Sequence, residues 1–374
     1  MMNNFAAIIF SDSYKGESNI LAEGRTLASV PFCGRFRMID FVLSGLVSAG
    51  ARNVAVITKR NYASLEDHLG GGKYWDLDHR NSGLRILSPF YKTQNNNEVF
   101  MARGKLDALR SVQPYIDWLK EEYVVLTNAN VVANFDFREM FDFHVQSGAD
   151  ITALYSTQTV NRSGDLEFHL TENGRVGDMT YSTGDGEKLV HRALGAYVIK
   201  RSLLLELIRR ADEHDYYSLE KYLLINNVSS LRIMGFEHHG FAGVVHTVKD
   251  YYDTSMLMLD GEVRNGLFLE ERPIMTRTRD SVPALYRYNS HVENSLIADG
   301  CVIDGAVKNS IIFRNVIVKK GAVIENSIVM QNCVIGEDSE IRFSVLDKNI
   351  TISAGKTLSG AAECPVVFLK DTKI

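Results

Sequence analysis

The stretch Phe5-Ala6-Ala7-Ile8-Ile9-Phe10 is a continuous apolar run, and the polar stretch Ser11-Asp12-Ser13-Tyr14-Lys15-Gly16 follows it directly. An unbroken apolar run of this length is typical of a strand that is buried on both faces of a parallel sheet. A loop that binds a nucleotide phosphate at the end of such a strand needs several glycines, because a Cβ would block the turn or the approach of the phosphate. This loop contains Gly16 as its single glycine. We therefore expect the sheet of a nucleotide-binding domain without its phosphate-binding loop.

Strand and helix patterns alternate through the first two thirds of the chain. Further apolar runs that predict buried strands are residues 54–58, 123–127 and 151–155. Segments with apolar residues at helical spacing are residues 39–48, 106–119 and 140–146. The alternation predicts an α/β domain with a mostly parallel sheet and helices on both faces. Ligands of such sheets bind beyond the carboxyl ends of the strands, which here means near residues 11–16 and 128–130.

From residue 288 onward the sequence repeats a pattern in which a small or polar residue precedes aliphatic residues. The repeated segments are Asn294-Ser295-Leu296-Ile297, Asn309-Ser310-Ile311-Ile312, Asn326-Ser327-Ile328-Val329 and Phe343-Ser344-Val345-Leu346, at intervals of 15, 17 and 17 residues. Three steps of roughly five to six residues form one coil of a β-helix, with small residues at the corners and aliphatic residues stacked inside. An ordinary β-sandwich is the alternative, but its alternation would not recur at this period.

The composition changes between Gly266 and Pro283, where Arg and Thr are frequent and two prolines bracket the segment. We expect a linker there. The predicted organisation is an α/β domain at residues 1–265, a linker at 266–287 and a β-helix at 288–374. A chain of 374 residues is long enough for two independent cores.

Composition and charge argue against several classes of partner. The net charge is −5, and Lys and Arg are scattered among acidic residues, so we expect no nucleic-acid partner. Apolar runs stay shorter than a membrane span, so we expect no membrane partner. The four cysteines lack a C-x-x-C spacing, which suits a cytoplasmic protein with reduced thiols. The adjacent residues His238-His239 would point to opposite faces of a strand, so we expect no metal site.

The stretch Val30-Pro31-Phe32-Cys33-Gly34-Arg35-Phe36-Arg37-Met38-Ile39-Asp40-Phe41-Val42-Leu43-Ser44 resembles the glucose-1-phosphate adenylyltransferase family, also called ADP-glucose pyrophosphorylase. Other matches lie in the family's order along nearly the whole chain: Arg25, Ile57-Thr58, Ser64-Leu65, His68, Arg103-Gly104, Asp107-Ala108, Glu122-Tyr123-Val124-Val125 and Leu194-Gly195-Ala196-Tyr197-Val198. The resemblance implies a Rossmann-like glycosyltransferase-A nucleotidyltransferase domain followed by a left-handed parallel β-helix. It also implies a tetrameric assembly and a role in making ADP-glucose for glycogen.

The family reaction joins glucose 1-phosphate to the α-phosphorus of ATP, and Mg²⁺ held by carboxylates and fixed cations balance the phosphate charge. According to the resemblance, the family's catalytic lysine falls on Leu27 and its first magnesium-binding aspartate on Asn130. The second aspartate, in an Asp-Val-Gly-Thr motif, falls on Thr247. An amide or a hydroxyl holds Mg²⁺ poorly compared with a carboxylate. We therefore expect no catalytic residue and no cofactor in this chain, with magnesium in a catalytic partner.

Parts of two binding sites match the family better. The residual candidates for the sugar pocket are Arg103, Gly104, Asp107 and Gly195. Arg25 and Arg37 match arginines that, in the family, bind phosphorylated sugar effectors between the two domains. An arginine pair can hold a phosphate in a bidentate manner.

The chain resembles in particular the non-catalytic, GlgD-type companion subunit of this family in Gram-positive bacteria. The resemblance implies a regulatory subunit of glycogen biosynthesis that pairs with a catalytic subunit, as a heterotetramer, and activates it. We expect the contact on exposed faces of the β-helix or on the loop at residues 91–100.

Two other functions would use different residues of this chain. An active sugar-nucleotide pyrophosphorylase would use displaced residues in place of the missing ones, and the candidates are Lys15, Arg35, Asp76 and Asp250. A hexapeptide-repeat acyltransferase would need a general-base histidine on a coil, for which His291 at the start of the repeats is the candidate.

Overall fold

The computed structural model describes residues 4–12, 19–59, 61–92, 99–158, 162–184 and 189–374, which form an α/β domain followed by a left-handed β-helix. The strands of the α/β domain are β1 (Phe5–Phe10), β2 (Pro31–Phe32), β3 (Phe36–Arg37), β4 (Asn53–Ile57), β5 (Gly83–Leu87), β6 (Phe90–Lys92), β7 (Val99–Met101), β8 (Tyr123–Asn128), β9 (Val131–Ala133), β10 (Ile151–Gln158), β11 (Leu166–Leu170), β12 (Val176–Tyr181), β13 (Val190–Lys200), β14 (Ile233–Glu237) and β15 (Ala242–Val244). Its helices are α1 (Met38–Ser48), α2 (Ala63–Leu69), α3 (Lys105–Ser111), α4 (Gln113–Trp118), α5 (Phe137–Ser147), α6 (Arg201–Glu213), α7 (Val248–Met256) and α8 (Gly261–Leu267).

Nine strands form the central sheet, in the order β12-β11-β13-β8-β1-β4-β5, with β10 paired to β13 and to β14. The half that contains β8, β1, β4 and β5 is parallel, as the alternation predicts. The other half is mixed, because β13 runs antiparallel to β8, β10 and β11. The β11–β12 hairpin adds a further antiparallel pair, since a short turn joins antiparallel neighbours. The prediction of a mostly parallel sheet is therefore correct for one half only.

Alternate residues of β1 pack into two apolar cores, one on each face of the sheet. Ala6 and Ile8 share a core with α3, α4 and α6, whereas Ala7 and Ile9 share a core with α1, α2 and α5. The predicted helix at residues 106–119 is two helices, because Pro114 has no amide hydrogen and lies in the first turn of α4. Among the described helices, none is long and apolar enough to cross a membrane.

The strands of the β-helix are β16 (Leu285–Tyr286), β17 (His291–Glu293), β18 (Leu296–Ile297), β19 (Val302–Ile303), β20 (Ala306–Lys308), β21 (Ile311–Ile312), β22 (Ile317–Val318), β23 (Val323–Glu325), β24 (Ile328–Val329), β25 (Val334–Ile335), β26 (Glu340–Arg342), β27 (Ser344–Leu346), β28 (Thr351–Ile352), β29 (Thr357–Ser359) and β30 (Val366–Phe368). They form three parallel five-stranded sheets, which begin at β16, β17 and β18. Equivalent residues of successive coils are in register, as Val307, Ile324 and Ile341 are in the second sheet. The predicted β-helix is confirmed, whereas the domain boundaries at residues 265 and 288 stay predictions.

Asparagine and serine side chains build the corners between the second and third sheets. Asn294, Asn309 and Asn326 have φ angles of 42°, 46° and 47°, in the left-handed region that asparagine adopts more easily than most residues. At the next position Ser327 N donates a hydrogen bond to Ser310 Oγ of the preceding coil (3.1 Å). The serine at each of these corners is therefore small enough for the tight turn and also forms a hydrogen bond to the next coil.

An apolar core joins the two domains. Phe32 of the α/β domain packs in one cluster with Phe313 and Met330 of the β-helix, and all three side chains are fully buried. Tyr252 of α7 donates its hydroxyl hydrogen to the carbonyl oxygen of Asn326 (2.6 Å). We call this cluster the interdomain core.

A buried ion pair lies across the same interface. Arg25 Nη2 is 2.7 Å from Asp347 Oδ2, and each side chain is 6% exposed. Arg25 Nε also donates to the carbonyl oxygen of Leu21 (2.8 Å). Removal of one partner from such a pair leaves the other charge buried without compensation, which is more costly than removal of both.

We expect the variant Asp347→Ala to lower the free energy of unfolding by about 3–5 kcal/mol, because it leaves the Arg25 guanidinium unpaired. The double variant Arg25→Met, Asp347→Leu should lose much less, and Glu213→Ala, which breaks an exposed pair with Arg209, should lose less than about 1 kcal/mol. Urea unfolding followed by circular dichroism measures all three. Equal losses in the single and double variants would contradict the prediction.

Candidate functional site

A cavity of about 180 Å³ lies at the edge of the sheet where the sequence predicts a ligand site, beyond the carboxyl ends of β1 and β8. We call it the sheet-edge cavity. Its lining residues are Asp12, Arg103, Gly104, Lys105, Asn128, Asn130, Val131, Asp165, Leu166, Tyr181, Ala193, Leu194, Gly195, Tyr197, Tyr217, Ser218, Glu220, Val244 and His246. Gly195 has a φ of 69°, and a Cβ there would overlap the amide of Asn128. Three of the four residues predicted for a sugar pocket, Arg103, Gly104 and Gly195, therefore line one cavity.

Asp107, the fourth predicted sugar-pocket residue, lies behind the wall of the sheet-edge cavity. Its fully buried carboxylate accepts hydrogen bonds from the backbone N–H (3.1 Å) and the Nε (2.7 Å) of Arg103. Arg103 Nη2 also lies 2.6 Å from a carboxylate oxygen of Asp215. Asp107 thus holds Arg103 in place and does not face a ligand.

Asp12 stands where the phosphate-binding loop would begin. Its two carboxylate oxygens accept hydrogen bonds from the backbone N–H groups of Leu27 (3.4 Å) and Lys59 (3.3 Å). Burial raises the pKa of this carboxyl above its usual value, although a hydrogen bond from Ser11 partly opposes the shift. The rest of the predicted loop, including Lys15 and Gly16, lies outside the described residues.

Leu27, at the position of the family's lysine, does not line the sheet-edge cavity. It begins the 3₁₀ segment Leu27–Ser29, is 4% exposed and packs in the interdomain core. An ammonium group at this place would lie among apolar side chains. Leu27 is therefore a packing residue in this structure.

Asn130 lines the sheet-edge cavity, as predicted, but its amide is bound to the protein. Nδ2 donates to the carbonyl oxygen of Val245 (3.1 Å), and the carbonyl oxygen of Asn130 accepts the N–H of Val245 (2.8 Å). Nδ2 also lies 3.4 Å from His246 Nδ1. These contacts tie the two chain segments together across the cavity floor.

Thr247 does not line the sheet-edge cavity, which corrects its predicted place. Its hydroxyl oxygen accepts a hydrogen bond from the N–H of Asp250 (3.1 Å) and caps α7. On the same segment, Val244 and His246 line the cavity. The aspartate of an Asp-Val-Gly-Thr motif precedes the threonine by three residues, so its position corresponds to Val244. A valine provides no metal ligand.

Each Arg or Lys described on the wall of the sheet-edge cavity has a carboxylate partner from this chain. Lys105 Nζ contacts Glu220 Oε1, and Arg103 is paired as described above. Behind the wall, Arg192 Nε lies 2.7 Å from Asp165 Oδ2, and each side chain is 7% exposed. The sequence analysis missed Lys105 and Asp165, because their partners are distant in sequence and no local motif marks them.

The sheet-edge cavity does not fit the magnesium ion that the resemblance implies. Mg²⁺ needs several oxygen ligands, usually with carboxylates among them. Of the three wall carboxylates, Asp165 is paired with Arg192 and Glu220 with Lys105. The third, Asp12, accepts hydrogen bonds from two backbone N–H groups. In the part of the chain that the structure describes, no group of three or more His, Cys, Asp or Glu side chains is placed to hold a metal ion.

A second cavity, of about 130 Å³, lies between the α/β domain, the linker and the β-helix. We call it the interdomain basic cavity. Its lining residues are Arg35, Phe36, Arg37, His68, Arg277, Arg279, Ser281, Arg314, Asn315, Gln331, Asn332 and Lys348. Six of them are Arg or Lys, and the set contains no Asp or Glu. Such a concentration of positive charge in a concave surface attracts anions.

Of the two predicted effector arginines, Arg37 lines the interdomain basic cavity and Arg25 does not. Arg37 Nη1 donates to Ser64 Oγ (3.0 Å), and burial lowers the pKa of Arg37 to about 10. Arg25 forms the buried ion pair with Asp347, so a carboxylate of this chain already occupies its guanidinium. The prediction of an anion site between the domains thus rests on Arg37 and on cations that the sequence analysis did not select.

The sequence analysis did not select four cationic residues of the interdomain basic cavity, which are Arg277, Arg279, Arg314 and Lys348. The arginine-rich composition of the linker was the available signal for the first two. Arg314 and Lys348 are 34 residues apart, twice the 17-residue interval of the repeats. That spacing places them at equivalent positions two coils apart, so the repeat contained the signal for this pair as well.

Parts of the chain match two protein families, and the whole chain is similar to known proteins. Residues 22–175 match the nucleotidyl transferase family, and residues 282–363 match the family described as GlmU-like, C-terminal hexapeptide. Over 368 residues the chain is 33% identical to "Glycogen biosynthesis protein GlgD" of Bacillus subtilis (strain 168). This alignment covers 98% of this chain and 96% of that protein. It is 34% identical over 328 residues to the protein of the same name from Geobacillus stearothermophilus, with 87% and 84% covered. A glucose-1-phosphate adenylyltransferase of Thermosipho africanus (strain TCF52B) is 27% identical over 326 residues, with 86% and 78% covered.

We expect the double variant Asn130→Asp, Val244→Asp to create a metal site, because Val244 pairs with Val131 and so stands beside Asn130 in the sheet-edge cavity. Two carboxylates there should bind Mn²⁺ with a Kd of roughly millimolar or below. The electron paramagnetic resonance signal of free Mn²⁺ measures the binding. The control is Asn130→Asp, Thr247→Asp, in which the second carboxylate is at a helix cap, and it should bind no better than the unaltered protein. Equal binding by the two double variants would contradict the placement of Val244.

Proposed function

The chain belongs to the family of the GlgD glycogen biosynthesis proteins, and from that premise we propose that it is a regulatory, largely non-catalytic subunit of glucose-1-phosphate adenylyltransferase. In this role it pairs with a catalytic subunit, as a heterotetramer, and activates the synthesis of ADP-glucose from ATP and glucose 1-phosphate for glycogen. The chain itself needs no cofactor, and magnesium acts in the catalytic partner.

The main support for a non-catalytic role is that the charged side chains on the wall of the sheet-edge cavity form ion pairs within the same chain. Its cations Arg103 and Lys105 contact carboxylates of the same chain, and the Asn130 amide is bound to Val245. A nucleoside triphosphate would have to break these ion pairs in order to bind, which is energetically costly. The cavity also offers no set of carboxylates to hold the Mg²⁺ that accompanies a triphosphate. Leu27 supplies no charge, because its side chain is a hydrocarbon, and it packs in the interdomain core.

The alternative of an active enzyme with displaced residues has less support. Arg35 lines the interdomain basic cavity, Asp76 is paired with Arg52 at the surface (2.8 Å), and Asp250 caps α7 and contacts Arg162. Of these described candidates, none lines the sheet-edge cavity. Lys15 lies outside the described residues.

The first coil of the β-helix is the surface that best fits a partner subunit. Its strands β16, β17 and β18 are the terminal strands of the three sheets, so each has a neighbour on one side only. Leu285, Tyr286 and Tyr288 are 53%, 51% and 101% exposed. An exposed apolar group beside open strand edges is typical of an interaction surface. The other predicted contact, the loop at 91–100, lies mostly outside the described residues.

The interdomain basic cavity supports the proposed response to phosphorylated sugar effectors. It is walled by Arg37 of the α/β domain, Arg277 of the linker and Arg314 of the β-helix. A bound phosphate would contact all three parts at once. Such a ligand can bias the relative arrangement of the domains, which is the physical requirement for a regulatory effect on a neighbour.

The purified chain alone should release pyrophosphate more slowly than about 1 s⁻¹, near the low end for enzymes, because it lacks the metal ligands and the lysine. A mixture with a catalytic subunit should differ from that subunit alone by roughly 5-fold or more in kcat or in its response to phosphorylated sugars. A coupled pyrophosphate assay on the two chains, separate and combined, measures both. If the mixture has the same kcat and the same response to phosphorylated sugars as the catalytic subunit alone, the regulatory role has no support.

The double variant Leu285→Glu, Tyr288→Glu should lose co-purification with the catalytic subunit, because it places carboxylates in the proposed contact. Tyr62→Glu, at another exposed aromatic residue of the α/β domain, is the matched control and should still co-purify. Size-exclusion chromatography of the co-expressed chains measures the result. Retention of the complex by the double variant would show that the contact lies elsewhere.

A further inference from the structure

A third cavity, of about 370 Å³, lies beside the first coil of the β-helix. We call it the edge groove. Its walls come from the turn of the β2–β3 hairpin at residues 33–36, from Arg264 and Phe268 at the end of α8, and from residues 296–299 at β18. Among the described residues, none from the second coil lines it. The groove therefore lies at the level of β18, which is the terminal strand of its sheet.

The backbone of β18 has one free edge. Within the described strands, β18 pairs with β21 alone. The N–H of Leu296 donates to the carbonyl oxygen of Ser310 (3.0 Å), and the N–H of Ala298 donates to that of Ile312 (2.9 Å). Successive residues of a strand direct their backbone groups to opposite edges, so the N–H and C=O of Ile297 point away from β21. An added strand would find a donor and an acceptor there.

The floor of the edge groove is apolar and half-buried. The rings of Phe36 and Phe268 stack with 5.1 Å between their centroids. Leu296 packs against the interdomain core, and Ile297 packs against the apolar interior of the β-helix. All four side chains nevertheless stay partly exposed. A cavity of this size with such a floor fits an apolar side chain as large as leucine or phenylalanine.

The rim of the edge groove carries more positive than negative charge, since Arg35 and Arg264 stand there with one carboxylate, Asp299. Arg264 Nη1 donates to the carbonyl oxygen of Met258 (2.8 Å), and the Arg35 guanidinium lies 5.4 Å from the centre of the Phe36 ring. These contacts hold the two guanidinium groups without neutralising them. A complementary segment therefore carries a carboxylate. A second copy of this chain would bring the same positive rim to a two-fold contact, which favours a different chain as the occupant.

We propose that an extended segment of the catalytic subunit adds to β18 as a further strand and inserts an apolar side chain, with a carboxylate beside it, into the edge groove. The proposal rests on the pairing with a catalytic subunit proposed above, and it names the mode of that contact. Backbone hydrogen bonds to Ile297 provide the affinity, and the groove selects the side chain.

A proline at position 297 tests the free edge. Because the N–H of Ile297 points away from β21, Ile297→Pro removes the donor for the added strand and keeps the hydrogen bonds within the β-helix. The matched control is Val292→Pro on β17. Val292 is half-buried and packs in the same apolar interior, and the N–H of its neighbour His291 donates to Gly305 of the next coil (3.0 Å). The N–H of Val292 therefore also points to a free edge, at a strand outside the groove.

Ile297→Pro should raise the Kd of the complex with the catalytic subunit about tenfold or more, whereas Val292→Pro should stay within about twofold of the unaltered chain. Biolayer interferometry with immobilised catalytic subunit measures the Kd. Thermal unfolding followed by circular dichroism checks that the two variants are equally stable. Equal weakening by both proline variants, or none by Ile297→Pro, overturns the proposal.

Hydrogen exchange gives a readout that needs no variant. In the complex of the unaltered chain with the catalytic subunit, the amide of Ile297 should exchange on the order of tenfold more slowly than in the free chain, because it gains an acceptor. The amide of Val292 should exchange at the same rate in both. Mass spectrometry with electron-transfer fragmentation resolves the two sites. An unchanged rate at Ile297 in a saturated complex contradicts the added strand.

Size-exclusion chromatography identifies the occupant and separates this inference from the proposed function. A dimer of the chain alone that Ile297→Pro abolishes would assign the free edge to a second copy and overturn the proposal. A complex with the catalytic subunit that Ile297→Pro leaves intact overturns the added strand but leaves the regulatory pairing standing. The absence of any complex between the unaltered chain and the catalytic subunit overturns both.

Discussion

The packing of the β-helix on the α/β domain is the constraint on which the interdomain basic cavity depends. Phe32, Phe313 and Met330 are fully buried in a core that belongs to neither domain alone, and the Arg25–Asp347 pair crosses the same interface. Apolar contact is not directional, so the core holds the domains together without fixing their orientation. The buried pair, which has one favourable geometry, restricts that orientation. The interdomain basic cavity exists only while this arrangement holds, because its walls come from both domains and the linker.

The sheet-edge cavity combines an open backbone with side chains that contact other groups of the same chain. An enzyme keeps cations poised for its substrate, and unpaired buried charges reduce its stability. Here Leu27 gives its side chain to the interdomain core, and Lys105 contacts a carboxylate of the same chain. Gly195 still leaves room for Asn128. The backbone around the cavity therefore leaves open space, while the charged side chains on its wall form ion pairs within the chain.

Sequence predicted the elements well and the contacts between distant segments poorly. The apolar run of β1 and the repeats at Asn294, Asn309 and Asn326 fixed both domain types, because period and burial are local properties. The partly antiparallel sheet was missed, since strand direction depends on which strands become neighbours. At the sites, a local motif selected Arg37, which lines the interdomain basic cavity. The same reasoning selected Arg25 for an effector site, but Arg25 is paired with Asp347, 322 residues away, and no local pattern predicts that pair.

The β2–β3 hairpin is the physical connection between the interdomain basic cavity and the first coil of the β-helix. Arg35 and Arg37 reach the cavity from this hairpin. At its turn, a Cβ on Gly34 would lie 3.6 Å from Ala298 of the first coil, and Cys33 holds a φ of 46°, which is strained for a residue other than glycine. The two arginines of the cavity wall therefore flank this turn. This turn packs against the coil that exposes Leu285 and Tyr288. The β2–β3 hairpin therefore connects the cavity between the domains with the exposed apolar surface of the first coil.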